Sequence, residues 1–204
     1  MHIELLVEEP SAEVALDNLL AKILGSQATY LIHAYQGKQD LLTKLPIRLR
    51  GYRHWLPDNG KIIVLVDEDR QDCQQLKTKM EQIAHQAGFA TKTSPDTAGQ
   101  FQVINRVAIE ELEAWFFGDV VALHQAYPRI PLTIAKQAKY RQPDEISGGT
   151  AEALENLLVR YGYYSQTTGM SKIEVARNIS PFMNPAQNQS PSFQQFYTAL
   201  TNIL

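Results

Sequence analysis

The chain has 204 residues, with 19 Lys and Arg against 22 Asp and Glu for a net charge of −3; 44% of its residues are hydrophobic and 20% charged. This is ordinary for a globular protein of about one domain, and it excludes a disordered tail, a collagen-like fibre, a coiled-coil rod and a globally basic nucleic-acid binder. The longest aliphatic run, Ile62 to Val66, falls far short of the roughly 20 residues of a membrane helix; the start Met1-His2-Ile3-Glu4 does not read as a signal peptide; and a single Cys73 allows neither an internal disulfide nor a cysteine-rich zinc site, so a reducing cytoplasm is the expected location.

In chain order, residues 2–8 read as a strand ended by Pro10. Ser11 is placed to cap a helix in which Leu16, Leu19, Leu20, Ile23 and Leu24 recur at helical spacing until Gly25. Residues 28–35 predict a second strand, and 36–38 a turn. A helix follows over about 40–56, broken or restarted at Pro46, before the turn Pro57-Asp58-Asn59-Gly60. Residues 61–66 are apolar without alternation and β-branched, the pattern of a central strand buried on both faces. A helix over 70–88 comes next. Two further strands are expected at 89–93 and 101–105, around a loop at 94–99, and a short helix over 108–118. Helical segments near 119–127, 150–161, 171–179 and 192–203 are separated by loops at 128–131, 141–149 and 180–191. Strand–helix alternation predicts an α/β fold: a mostly parallel sheet domain over 1–118, with a helical C-terminal extension, 119–204, packed on it.

The acidic residues are not evenly spread. Windows 8–13, 67–72 and 110–119 hold 3, 4 and 4 of them, half of the 22 in the chain. In an open parallel sheet, ligands bind outside the carboxyl ends of the strands. Glu8 follows the first strand. Asp67 and Asp69 follow the central one, and alternate residues of an extended segment project together. On a helix over 108–118, with about 100° per residue, Ile109, Leu112 and Phe116 form the apolar face; Glu113 lies at its edge, Glu110 is intermediate and Glu111 points away. A carboxylate beside a buried face needs a partner. Glu8, Asp67, Asp69 and Glu113, with Glu111 in reserve, are therefore candidate ligands of a hard cation, Mg²⁺ or Mn²⁺. The plainer readings are local: Glu8 and Glu9 terminating a strand, Asp69 capping the 70–88 helix, and Glu113 pairing with Arg106 or another basic residue.

Val7-Glu8-Glu9-Pro10-Ser11 and Leu65-Val66-Asp67-Glu68-Asp69 resemble the two signals of the Toprim domain, a strand ending in Glu and a later strand ending in Asp-x-Asp. That resemblance implies roles in Mg²⁺ binding for these acidic residues, and acid–base work for Glu8 in phosphodiester chemistry. Position 9 is Glu where the general pattern has Gly. Position 12 is Ala where many nuclease members carry a second acid, and Glu13 points elsewhere on its helix. As a whole the chain is similar to the bacterial domain of unknown function 4276 family, placed among Toprim-like proteins and related to the overcoming-lysogenization-defect type nucleases. The matching segments are 6–11, Tyr35-Gln36-Gly37-Lys38, 66–69, Glu111-Leu112-Glu113-Ala114-Trp115, Gly148-Gly149-Thr150 and Lys172-Ile173-Glu174. The resemblance implies a nuclease or nickase, a companion ATPase as partner, and a setting in bacterial defence.

Window 36–61 carries six basic residues against two acids, with Tyr52, His54 and Trp55 among them. Lys38, Lys44, Arg48 and Arg53 are the candidate nucleic-acid contacts; Lys44, Arg48 and Tyr52 share a helical face. Its plainer reading is a solvated helix face. Lys172 is the candidate for stabilising a developing oxyanion, with Arg177 as its neighbouring alternative, and His33 could line the same cleft. Three functions compete. The first is a metal-dependent nuclease in which Glu8 and Lys172 are catalytic. The second is a catalytically degenerate Toprim-like subunit of an ATPase-containing complex. The third is a phosphoacceptor at Asp67, which the absence of a lysine near residues 103–109 places last. No P-loop is present, so ATP dependence would come from another protein.

Overall fold

Successive residues of a strand point to opposite faces of a sheet, and each strand of this chain has apolar residues for both. In the computed structural model, which describes residues 1–69 and 71–204, strand β1 (His2–Val7) sends Ile3, Leu5 and Val7 into one core and Leu6 into another. Strand β3 (Lys61–Asp67) divides in the same way, with Ile63 and Leu65 opposite Ile62, Val64 and Val66. With β2 (Thr29–Ala34) and β4 (Val103–Ala108) they form one four-stranded, all-parallel sheet in the order β2-β1-β3-β4. The two interior strands, β1 and β3, are those buried on both faces. Helix α1 (Pro10–Leu24) covers one face; α2 (Lys38–Tyr52) and α3 (Cys73–Gln86) cover the other. The chain moves outward from β1 to β2 and then reverses through β3 to β4. The crevice at that reversal lies between the carboxyl ends of β1 and β3.

The helical remainder comprises α4 (Glu113–Phe117), α5 (Val120–Ala126), α6 (Thr150–Arg160), α7 (Lys172–Ile179) and α8 (Pro191–Thr201), with short 3₁₀ turns at 132–136, 143–145 and 180–182. Their apolar residues, among them Trp115, Leu154, Leu157, Phe193 and Phe196, join Leu5, Ile63 and Ile104 of the sheet and Leu16 and Leu20 of α1 in one continuous core. The architecture is the expected α/β sheet flanked by helices with a helical C-terminal region. No helix among the described residues is long and apolar enough to cross a membrane.

Several local expectations are corrected. Residues 89–93 add no strand; among them only Thr91 pairs with the sheet, through an isolated bridge to Val103, while Phe89 packs into the core beneath it. The last strand runs on to Ala108, because its pairing with β3 continues to Asp67. The helix expected from 108 therefore starts only at Glu113, after a turn in which Glu110 has φ 61°. Ser11 is not the cap of α1. Pro10 takes the first helical position, Glu9 is the cap residue, and the Ser11 hydroxyl donates to Glu9 Oε1 at 2.7 Å. Helix α2 passes through Pro46 unbroken and stops at Tyr52; burial of Leu41, Leu42, Leu45, Leu49 and Tyr52 outweighs the one backbone bond that proline removes. Residue 70, where the third helix was expected to begin, lies outside the described residues. Helix α3 starts at Cys73, capped by Asp72, whose side chain accepts the N–H groups of Gln74 and Gln75.

Candidate active site

The crevice at the strand reversal is lined by carboxylates. Glu8, the residue after β1, is buried, and its Oε1 accepts the backbone N–H of Asp67 at 2.7 Å. This bond ties the ends of the two central strands together. Burial pushes the Glu8 carboxyl up to about 7, against the pull of the Asp67 N–H and of Lys38. Asp67 ends β3. Its carboxyl stands well above the usual range, first through burial and then through repulsion from Glu8, Glu113 and Asp69. Glu113 opens α4 and is 1% exposed. Burial also raises it to about 7, although Lys172 opposes the shift, and its Oε2 has no hydrogen-bond partner among the described residues.

Lys172, the first residue of α7, brings the C-terminal region into this crevice. Its ammonium stands 3.5 Å from Glu9 Oε1, 3.7 Å from Glu111 Oε1 and 3.7 Å from Glu113 Oε1. Burial pulls its pKa down, but Glu113, Glu9, Glu111 and Asp67 together raise it above the ordinary lysine value. Glu113 thus pairs with Lys172 and not with Arg106, whose guanidinium donates to the Asn105 carbonyl. Glu111 also accepts the Ala151 N–H at 2.7 Å and the Thr150 hydroxyl at 3.2 Å, fixing the start of α6 against the site.

Asp69 behaves differently. It is exposed, has φ 48°, and pairs with Lys38 Nζ at 2.9 Å. It caps no helix. Its N–H reaches the Glu110 carbonyl at 3.0 Å, and the Glu110 N–H reaches Glu68 Oε2 at 3.2 Å. Two non-glycine residues in the left-handed region therefore meet at the edge of the crevice, each costing on the order of 1–3 kcal/mol. Lys38 is aimed there by Gly37, whose φ of 95° turns the chain into α2 while its N–H bonds the Glu8 carbonyl at 2.8 Å.

The structure separates the four basic candidates. Lys38 alone reaches the acidic edge. Lys44 pairs with Asp40 at 2.6 Å. Arg48 donates to His33 at 2.8 Å and to Tyr52 at 3.1 Å, inside a network in which His33 and Tyr52 both bond the buried Glu4. Arg53 holds the Gly88 carbonyl at 2.5 Å. His33 serves that internal network, and Arg177 is exposed. Two contributors escaped the sequence reading: Glu9, a departure from the Toprim pattern that here receives Lys172, and Thr150, noted only as part of a glycine-flanked segment.

Glu8 and Glu113 both stand close enough to raise the pKa of Asp67; the three are an all-oxygen donor set of the type hard cations select, and Glu113 Oε2 lacks a partner among the described residues. In this conformation no group of three or more Asp, Glu, His or Cys side chains among the described residues is arranged to hold a metal ion. Lys172 supplies the positive charge instead. No curated protein and no solved structure matches the chain significantly. A family model, domain of unknown function DUF4276, matches residues 7–201, from the last residue of β1 to the end of α8. Since that match covers nearly the whole chain, the chain belongs to the DUF4276 family.

Proposed function

We propose that this protein is a Toprim-like, Mg²⁺- or Mn²⁺-dependent phosphoryl-transfer enzyme, a nuclease or nickase acting on nucleic acid. One observation carries the reading: carboxylates following β1, ending β3 and opening α4 converge at the strand reversal of a parallel sheet, where Glu8 and Glu113 repel Asp67 and the Lys172 ammonium opposes them. Glu8, Asp67 and Glu113 would hold the cation. When bound, it would neutralise the scissile phosphate and activate water. Asp69 stands at the crevice mouth, while Glu111 braces α6 and orients Lys172. Glu8 has a carboxyl near neutrality and one oxygen committed to the Asp67 N–H, so its other oxygen can take or give a proton at physiological pH. Lys172 offers an ammonium that stays charged beside developing negative charge.

Asp67→Asn should abolish Mn²⁺ binding in calorimetry and Mg²⁺-dependent cleavage of plasmid, single-stranded DNA or RNA, while the protein stays folded. Cleavage retained in that variant would sink the assignment. Lys172 supports the second reading as well. A crevice already neutralised by an ammonium suits a catalytically silent subunit that binds nucleic acid or a companion ATPase. Such a subunit would bind nucleic acid with steep salt dependence and without added cation.

A further inference from the structure

Beyond Asp69 the crevice opens into a second concavity, between α2 and α3. It has a volume of about 570 Å³, within the range of small-ligand sites. Its composition differs from that of the carboxylate crevice. Lys38 contributes from α2 and Lys79 from α3, and Lys79 has no acidic partner among the described residues. Gln71 and Gln75 offer amides, and Leu42 and Leu76, both buried, supply an apolar floor. The two aspartates on its wall are already neutralised: Asp69 by Lys38, and Asp72 by the N–H groups at the start of α3 and by the Gln75 amide. A ligand therefore meets the Lys79 ammonium, which no carboxylate among the described residues offsets, together with hydrogen-bonding amides and a greasy patch in one cavity.

That combination fits neither a bare anion, which would leave the volume and the leucines unused, nor an apolar molecule, which would bury the Lys79 ammonium without a partner. It fits a phosphate-bearing ring that can lie on leucine and be hydrogen-bonded at its edge. We propose that the cavity between α2 and α3 seats one nucleotide of a single-stranded substrate, its phosphate toward Lys38 and Lys79 and its base over Leu42 and Leu76. This rests on the phosphoryl-transfer reading. The shared wall at Asp69 would lead the adjoining phosphate to the carboxylates. A strand whose base lies in this cavity is unpaired there, so unpaired strands and ends are preferred over continuous duplex.

The test is fluorescence anisotropy of a short labelled single-stranded DNA with Ca²⁺ in place of Mg²⁺. Wild type is compared with Lys79→Glu, Gln71→Ala and the charge-matched control Lys139→Glu, an exposed lysine of the C-terminal region. Lys79→Glu should weaken binding at least tenfold and lower the salt slope by about one phosphate contact. Gln71→Ala should weaken it severalfold with the salt slope unchanged, and Lys139→Glu should stay within twofold of wild type. Duplex DNA of equal length should bind at least tenfold more weakly. Equal losses in Lys79→Glu and Lys139→Glu, or equal affinity for duplex, would overturn the assignment of the cavity. So would no binding to wild type. Mn²⁺ calorimetry on the same preparations separates the two readings: Mn²⁺ binding that survives in wild type and Lys79→Glu leaves the carboxylate site standing whatever becomes of the cavity.

Discussion

Glu9, Glu111 and Glu113 each place an oxygen within 3.7 Å of the Lys172 ammonium, and Asp67 adds its field. Removing one partner of a buried ion pair leaves the others uncompensated. About a third of the Lys172 side chain is solvent-exposed, so solvent screens part of the loss. Lys172→Met should lower stability by about 1–2 kcal/mol in urea titrations with EDTA present, and saturating Mn²⁺ should restore part of it. A variant as stable as wild type in EDTA would show that the carboxylates do not depend on this cation. The raised carboxyls also set a pH dependence. Glu8 and Glu113 titrate near 7 in the folded protein and near 4.5 unfolded. Between those values the folded state binds more protons, so the stability they contribute is complete below about 4.5 and is lost as pH rises through 7. With EDTA present the melting temperature should fall across that window, and Glu113→Gln should flatten the fall. At this scale the residue identities were legible from the sequence. Their partners were not: Lys172 lies 59 positions after Glu113 in the chain, and no periodicity links them.

Helix boundaries in this protein follow from caps and close packing. The sequence offered Asp69 as the cap of the third helix, whereas the structure uses Asp72, which accepts two backbone N–H groups. Asp72→Ala should cost about 1 kcal/mol, read as a lower urea midpoint at unchanged slope. Asp69 is left free to meet Lys38. The chain after α4 turns at Gly118 under a tighter constraint. A methyl group there would come within 2.1 Å of Asn188 Oδ1 and 2.8 Å of the Ser190 nitrogen, while Asn188 itself donates to the Trp115 carbonyl. Gly118→Ala should therefore cost at least about 2 kcal/mol, since backbone has to move to relieve the overlap. α4 is the element that carries Glu113, so the same substitution should weaken Mn²⁺ binding. The apolar spacing of Ile109, Leu112 and Phe116 predicted too long a helix here because β4 claims residues up to Ala108.

One apolar core joins the sheet to the C-terminal helices. Trp115, 1% exposed, packs on Phe193 and Phe196 and donates its indole N–H to Ser192 at 3.0 Å. Leu5, Ile63 and Ile104 belong to the same core. A fragment ending at residue 118 would expose that face of the sheet and lose Lys172. It should not fold on its own: expressed alone, it should lack a cooperative thermal transition. In the full chain, buried Trp115 and total helicity should be lost at one urea midpoint, and two separated transitions would show that the sheet and the helical region unfold independently.

The sequence by itself determined the α/β class, the strong central strand, most helix positions after residue 119 and the acidic residues that end β1 and β3. Each of these rests on local chemistry: β-branched runs, helical spacing, turn residues and charge clusters within a few positions. Only the tertiary structure decided that Lys172 fills the space between Glu9, Glu111 and Glu113, that Lys44, Arg48 and Arg53 are spent on contacts away from the crevice, and that a neutralised cavity lies beside Asp69. The reason is physical. A charge chooses the partner that burial and geometry bring to it, and in this fold those partners come from elements far apart in the chain.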